Sequence, residues 1–425
     1  MIRRLHVPPF DALDALLPAA ASADPATRET VAALLADVAA RGDDAVREAT
    51  ARFDGVDLPP AAWELPPAEW AAAEARLAPA LRAALALAVE RVRAYHAAQR
   101  ERDFTLDLGL GASVGQRVLP MDRVGLYVPG GTASYPSSVI MNAVPAVVAG
   151  VQEIIAVTPP RGHLTDAVLA ACRMAGVTRI FRIGGAQAVA ALAYGTRTVP
   201  RVDAIVGPGN RWVAEAKRQV VGAVGIDAIA GPTEVLVLAD HTADASRVAA
   251  DLIAQAEHDV DAASWCVTTS AALADALPAA LEAALATAPR AAIARASLRD
   301  HGLVVVCPDL ATAAEVSNRR APEHLELLVA DPEALLPAIR HAGAVFLGDQ
   351  TPEPVGDYVA GPSHVLPTAG SARFASPLGV HAFMKRQSVI RYSAARLRAD
   401  AAHVIALAEA EGLPGHAEAV RVRLA

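Results

Sequence analysis

A chain of 425 residues, 53% of them hydrophobic, exceeds what one small core needs, so two or more domains or one large α/β unit with appendages is expected. A net charge of −8, an aromatic content of 4% and the lack of any long Lys/Arg block exclude a surface that tracks phosphates or stacks on bases, so no nucleic acid partner is expected. No stretch approaches the ~18 uninterrupted apolar residues of a membrane span, so no membrane association is expected either.

The first 25 residues start like a leader, but Asp11 and Asp14 interrupt its apolar part, so the stretch reads as a short arm on a cytoplasmic protein. From Arg28 to Gln99 the chain reads as long Ala-rich helices. Between Val124 and Ala239 short apolar runs alternate with helix-like ones: VGLYV before SSVIMNAVPAVVAG, EIIAVT before LTDAVLAACRMAG, RIFRI before AQAVAALAYG, AIVG before RWVAEAKRQVVG, then VLVLA. That rhythm marks βαβ units on a parallel sheet, whose strands are apolar throughout because helices cover both faces. Strand and helix signals resume with SWCVTT, LVVVC and AVFLG, and from about Ser376 a charged, helical tail is expected.

The expected fold is therefore α/β: two Rossmann-like domains with parallel sheets, one inserted in the other, plus small N-terminal and C-terminal helical appendages. The expected division is an arm of residues 1–25, a discontinuous domain of 26–123 and 236–376, an inserted domain of 124–235, and a tail of 377–425. Cys172, Cys266 and Cys307 are far apart and embedded in apolar runs, so they read as buried reduced thiols. Any metal must then be held by His, amide and carboxylate groups.

Four segments carry residues suited to chemistry. A helix capped by Thr242 or Asp244 brings Gln255 and His258, three residues apart, to one face. In RRAPEHLELLV a helix gives way to a strand, and the junction presents Glu323 and His324, two proton-transfer groups of different basicity. The long Gly/Pro-rich segment GDQTPEPVGDYVAGPSHVLPTAGSARF carries Glu353, Asp357 and His364, and its length calls for a function. Glu411 and His416 flank a Gly/Pro turn in the tail. Each segment alone is as well explained by an ordinary structural role. Together, one Gln oxygen, two His nitrogens and one carboxylate form a borderline N/O set suited to zinc.

A conventional GxGxxG loop is missing, since Gly109-Leu110-Gly111 precedes no helix start. The turns at Pro129 to Gly131, Gly184-Gly185 and Gly207 to Asn210 instead follow strands and precede helices, where ligands lie in open α/β sheets.

The stretches GLYVPGGTASYPSSVIMNAVPA, GGAQAVAALAYGT, GPGNRWVAEAKRQV, AGPTEVLVLAD, LIAQAEHD, APEHLEL, TPEPVGDYVAGPSHVLPT and EGLPGHAEAV resemble the histidinol dehydrogenase family in order and spacing, over most of the chain from Arg28 to His416. The resemblance implies that Gln255, His258, Asp357 and His416 are zinc ligands and also contact substrate, and that Glu323 and His324 are the catalytic pair. It assigns Tyr127, Gln187 and Asn210 to NAD+, which makes 124–235 the NAD-binding domain, and Thr233, Glu411 and His324 to substrate. It further implies a homodimer with exchanged tails and the oxidation of L-histidinol to L-histidine through the aldehyde, the last step of histidine biosynthesis. One position departs from the family's usual pattern, Thr233 where Ser is more common, and Ser363 stands where some members have Asn; the Thr233 hydroxyl keeps the hydrogen bond. Three alternatives stand beside this reading: a same-family dehydrogenase of another small polyol such as a sulfonated diol, a zinc hydrolase, and a metabolite-binding α/β protein.

Overall fold

A computed structural model of the chain describes residues 2–17, 24–130, 135–160 and 164–424. Two parallel sheets dominate it. In the first, strand Arg123–Tyr127 is central, with Glu153–Val157 and Arg179–Phe181 on one side and Ala204–Val206 and Gly225–Ile226 on the other. Counted in their own chain order these strands run 3-2-1-4-5, the doubly wound arrangement in which connections diverge between the first and fourth strands.

The second sheet repeats that order with Leu303–Val306, Ala263–Thr268, Glu234–Ala239, His324–Leu328 and Ala344–Leu347. Strand Arg3–His6 extends it, parallel to Leu303–Val306. Glu234–Ala239 and His324–Leu328 are buried at every position, because helices cover both faces. Ala245–Ala256, Ala271–Leu285 and Ala291–Asp300 cover one face, and Leu310–Arg320 with Phe10 and Leu13 of the arm covers the other.

Packing divides the chain differently from the expected boundaries. The helices Pro25–Arg41 and Asp43–Asp54 pack on Gly185–Tyr194, while Pro67–Arg76 and Pro79–Ala97 pack on Asp166–Ala175 and Pro136–Ala149. They belong to the two cores of the first sheet, not to the second sheet with 236–376. The arm is the part that joins the second sheet. An apolar helix face is visible in sequence, but the sheet it will cover is decided by tertiary packing.

A third, antiparallel sheet joins Phe104–Gly109, Ala112–Pro120 and Met384–Arg391. The tail expected to be helical therefore carries an eight-residue strand, after a 3-10 turn at Val380–Phe383 and before helices Ala394–Ala410 and Pro414–Arg421. Gly109, Leu110 and Gly111, with φ of 75°, 55° and 76°, make the hairpin turn of this sheet. The three cysteines are buried and unbonded, each thiol pushed up to about 12 by burial. Among the described residues, no helix is long and apolar enough to cross a membrane.

Candidate active site

The chemistry-bearing residues of the second sheet gather at the amino ends of its central strands. Thr233 precedes strand Glu234–Ala239, Glu323 precedes His324–Leu328, and His324 opposes Val235 in the ladder. The junction before Glu323 turns through Ala321, a non-glycine at φ 47° that caps helix Leu310–Arg320. Behind it a buried ion pair joins Arg320 to Glu234, whose other oxygen accepts the Ala369 N–H at 3.2 Å.

Glu323 is held by short contacts. Its Oε2 accepts from the Thr233 hydroxyl at 2.6 Å and from the Glu234 N–H at 2.9 Å. Thr233 in turn accepts from the Gln255 amide at 2.7 Å. Burial pushes the Glu323 carboxyl up to about 7 against the pull of those two hydrogen bonds. His324 is likewise buried, and burial draws its imidazole below the ordinary range, so the ring is neutral near pH 7. Its Nδ1 lies 3.1 Å from the Glu234 carbonyl, which fixes the proton on Nδ1 and leaves the Nε2 lone pair facing the cluster.

Helix Ala245–Ala256, capped by Asp244, delivers Gln255 in its last turn. His258 lies just past the helix end, where its N–H donates to the Gln255 carbonyl at 3.2 Å, so the two stay on one side without sharing a regular helix. The Gly/Pro-rich segment, expected as loop, contains helix Glu353–Tyr358, which puts Glu353 and Asp357 one turn apart on one face. Ligand atoms of His258, Glu353 and Asp357 all lie within 4.8 Å of one another. His324 Nε2 stands 3.7 Å from Glu353 and 3.8 Å from Asp357, and His364 Nδ1 stands 3.6 Å from Asp357.

Asp357 sits at about 2, since the nearby His364, His324 and His258 outweigh its burial. Burial and the neighbouring Asp357 hold Glu353 well above the ordinary range. Among the described residues, four buried polar atoms of this cluster have no hydrogen-bond partner: Gln255 Oε1, His324 Nε2, Glu353 Oε1 and His364 Nδ1. Orphaned atoms on two helices, one strand and the loop at His364 are what a bound cation or polar substrate would satisfy, and the N/O set fits a borderline divalent ion. Beside His258 a cavity of about 400 Å³ opens between Tyr135, Arg290 and Tyr358.

Sequence reasoning undervalued Glu353 and His364. For Glu353 the signal was its spacing of four from Asp357, masked by the prolines that hid the short helix, whereas His364 lies past that helix. Glu411 and His416 are not brought to this cluster within one chain; both are exposed on the tail.

Tyr127, Gln187 and Asn210 meet elsewhere, in a cleft of about 610 Å³ at the carboxyl ends of the first sheet. Tyr127 ends the first strand and Asn210 follows the fourth, so the cleft sits where the connections diverge. The Tyr127 hydroxyl accepts the Gly185 N–H at 3.0 Å, and Asn210 caps helix Arg211–Val220. Gly207, at φ 107°, lies so close to Tyr127 that a Cβ would come 2.3 Å from its carbonyl oxygen. Buried Lys217 and Asp227, themselves ion-paired, hold both sides of Gly207: Lys217 donates to its carbonyl at 2.9 Å and Asp227 accepts its N–H at 2.7 Å. Of the Pro129 to Gly131 turn, Gly131 lies outside the described residues.

Comparison with known proteins bears on both sites. A family model described as histidinol dehydrogenase matches residues 18–424. Histidinol dehydrogenase of Rhizobium meliloti is 54% identical over 93% of this chain and 91% of its own length. That of Pseudomonas aeruginosa is 51% identical over 100% of this chain and 97% of its own. The crystal structure of histidinol dehydrogenase from Elizabethkingia anophelis superposes with a TM-score of 0.94 at 32% identity, covering 100% of this chain and 98% of that one. On the match of sequence and architecture from end to end, this chain belongs to the histidinol dehydrogenase family.

Proposed function

We propose that this enzyme oxidises L-histidinol to L-histidine in two steps, with zinc in the cluster of the second sheet and NAD+ in the cleft of the first. The observation that carries the reading is that Gln255 Oε1, His324 Nε2, Glu353 Oε1 and His364 Nδ1 are all buried and unpartnered, beside a neutral His324 and a Glu323 poised near neutrality. Gln255, His258 and Asp357 would hold the zinc, and His416 of the partner subunit would complete the set in a homodimer with exchanged tails. Glu411 would reach the substrate amine by the same exchange. Exposure of Glu411 and His416 within one chain supports that arrangement.

Zinc supplies a template for the substrate's imidazole and amine, and NAD+ supplies the hydride acceptor. His324 Nε2 takes the hydroxyl proton as the carbinol carbon gives up its hydride, forming the aldehyde. Glu323 then takes a proton from water as its oxygen adds to the aldehyde carbon, while His324 returns the proton it took to the former carbonyl oxygen, giving the hydrate and a neutral ring. In the second oxidation His324 takes a hydrate proton as the remaining hydride leaves, and the carboxylic acid results. Thr233 holds Glu323 toward the cluster throughout.

The deciding measurement is NADH formed per L-histidinol consumed, with and without chelator. Two per substrate, abolished by chelation and restored by zinc, is the expected result; turnover only with a sulfonated diol, or product without NADH, overturns the reading. His324→Asn should slow both oxidations by about 10²–10⁴-fold, whereas Glu323→Gln should slow the aldehyde step far more than the alcohol step. Equal losses in both steps for Glu323→Gln would remove it from the water-activating role.

A further inference from the structure

In many dinucleotide-binding sheets an acidic residue at the end of the second strand holds the ribose hydroxyls and excludes a 2′-phosphate. Here the second strand, Glu153–Val157, runs into Thr158, Pro159 and Pro160, and residues 158–165 contain no Asp or Glu. The third strand, Arg179–Phe181, is followed by Arg182, Ile183 and Gly184, again without an acid.

The cleft nevertheless has a carboxylate. Asp54 lines it, and among the described lining residues it is the one charged side chain. It comes from outside the βαβ units, as the last residue of helix Asp43–Asp54, with Gly55 at φ 64° closing the helix. A carboxylate there faces the negative end of the helix dipole, a placement that works against helix stability. Buried Gln187 points its amide at Asp54, with Nε2 3.4 Å from Oδ2. Val31, Leu34 and the half-exposed ring of Phe53 flank it, an apolar setting suited to a purine face. None of the residues of the catalytic cluster lines this cleft, so a dinucleotide must send its reactive end out toward the second sheet and leave its adenosine end here.

We infer that Asp54 selects the dinucleotide: its carboxylate accepts hydrogen bonds from the 2′- and 3′-hydroxyls of the adenosine ribose and repels a 2′-phosphate. The inference rests on the reading of the cleft as the NAD+ site. Its origin in an N-terminal helix explains why no acid follows the second strand.

The test is a fluorescence titration of full-length protein with NAD+ and with NADP+, for the native chain, Asp54→Asn and Asp54→Ser. Both substitutions should weaken NAD+ and tighten NADP+, changing the ratio of their dissociation constants by at least about tenfold. Opposite signs for the two ligands are the signature, since mere damage to the cleft weakens both. Parallel weakening, or an unchanged ratio in both variants, overturns the assignment. Asn210→Ala and Tyr127→Phe serve as controls on the cleft. If neither alters NAD+ affinity the cleft reading itself fails, whereas if they weaken NAD+ and the Asp54 ratio stays constant, only the selector role is lost.

Discussion

Glu323 owes its basicity to a balance between burial, which lifts its carboxyl to about 7, and two hydrogen bonds that pull it down. Removing the hydroxyl tips that balance. Thr233→Val should move the rising limb of the aldehyde-oxidation pH profile upward, while Thr233→Ser should leave it in place; initial rates from pH 6 to 9 decide. Asp251 and Glu326 form a second buried acid pair, with Glu326 Oε1 accepting the Glu353 N–H at 2.8 Å. Burial raises both carboxyls above their ordinary values. The folded state then holds protons that the unfolded chain has released, so the pair's contribution is full below about pH 4 and declines as pH rises through the raised values. Glu326→Gln, which mimics the protonated acid, should flatten the fall of Tm between pH 5 and 8; an unchanged slope would exclude the pair as its source. At this scale sequence revealed identities but not partners: Glu323 and His324 stood out as a pair, whereas the contact of Asp251 with Glu326 depends on strand and helix placement no spacing encodes.

Among elements, alternation of apolar runs made the βαβ units of the first sheet visible, because strands buried on both faces leave long uniform runs. Met384–Arg391 left no such trace: all of its residues are at least partly exposed. Helix Glu353–Tyr358 was hidden by Pro352 and Pro354, which suit a helix start as well as a loop. The turn carrying Asn210 shows how a flexible Gly-Pro-Gly stretch becomes rigid, since Lys217 and Asp227 grip both polar groups of Gly207. Lys217→Met strands a buried carboxylate and should lower stability by about 3–5 kcal/mol, read by urea unfolding. A loss below about 1 kcal/mol would mean that the Asp227 carboxylate finds another partner in the variant.

For the whole molecule, the question is how exposed Glu411 and His416 reach a site. If tails are exchanged, defects in His258 and His416 fall in different parts of a composite site. His258→Ala and His416→Ala homodimers should each be inactive. Unfolding them together and refolding should recover about a quarter of the native activity, because half the dimers are mixed and each mixed dimer has one intact site. No recovery would place His416 in its own subunit or outside the site. The tail was legible as a separate unit, but not what its exposed face meets, since a surface made for a second copy resembles one made for water.

The pairing of Arg3–His6 with Leu303–Val306 bears on the order in which the protein can be built. Arg3 and Leu303, partners in the ladder, are 300 positions apart in the chain. At ribosomal speed that is a wait of roughly 15–60 s between emergence of the first strand and of its neighbour. Meanwhile the helices from Pro25 onward and the first sheet, complete by Ile226, have most of their partners, although Leu378, Val380 and Phe383 of the same core are still to be made. Most of the half built on the first sheet can therefore form on the ribosome, while the second sheet, which includes the strand Arg3–His6, must await the last third of synthesis.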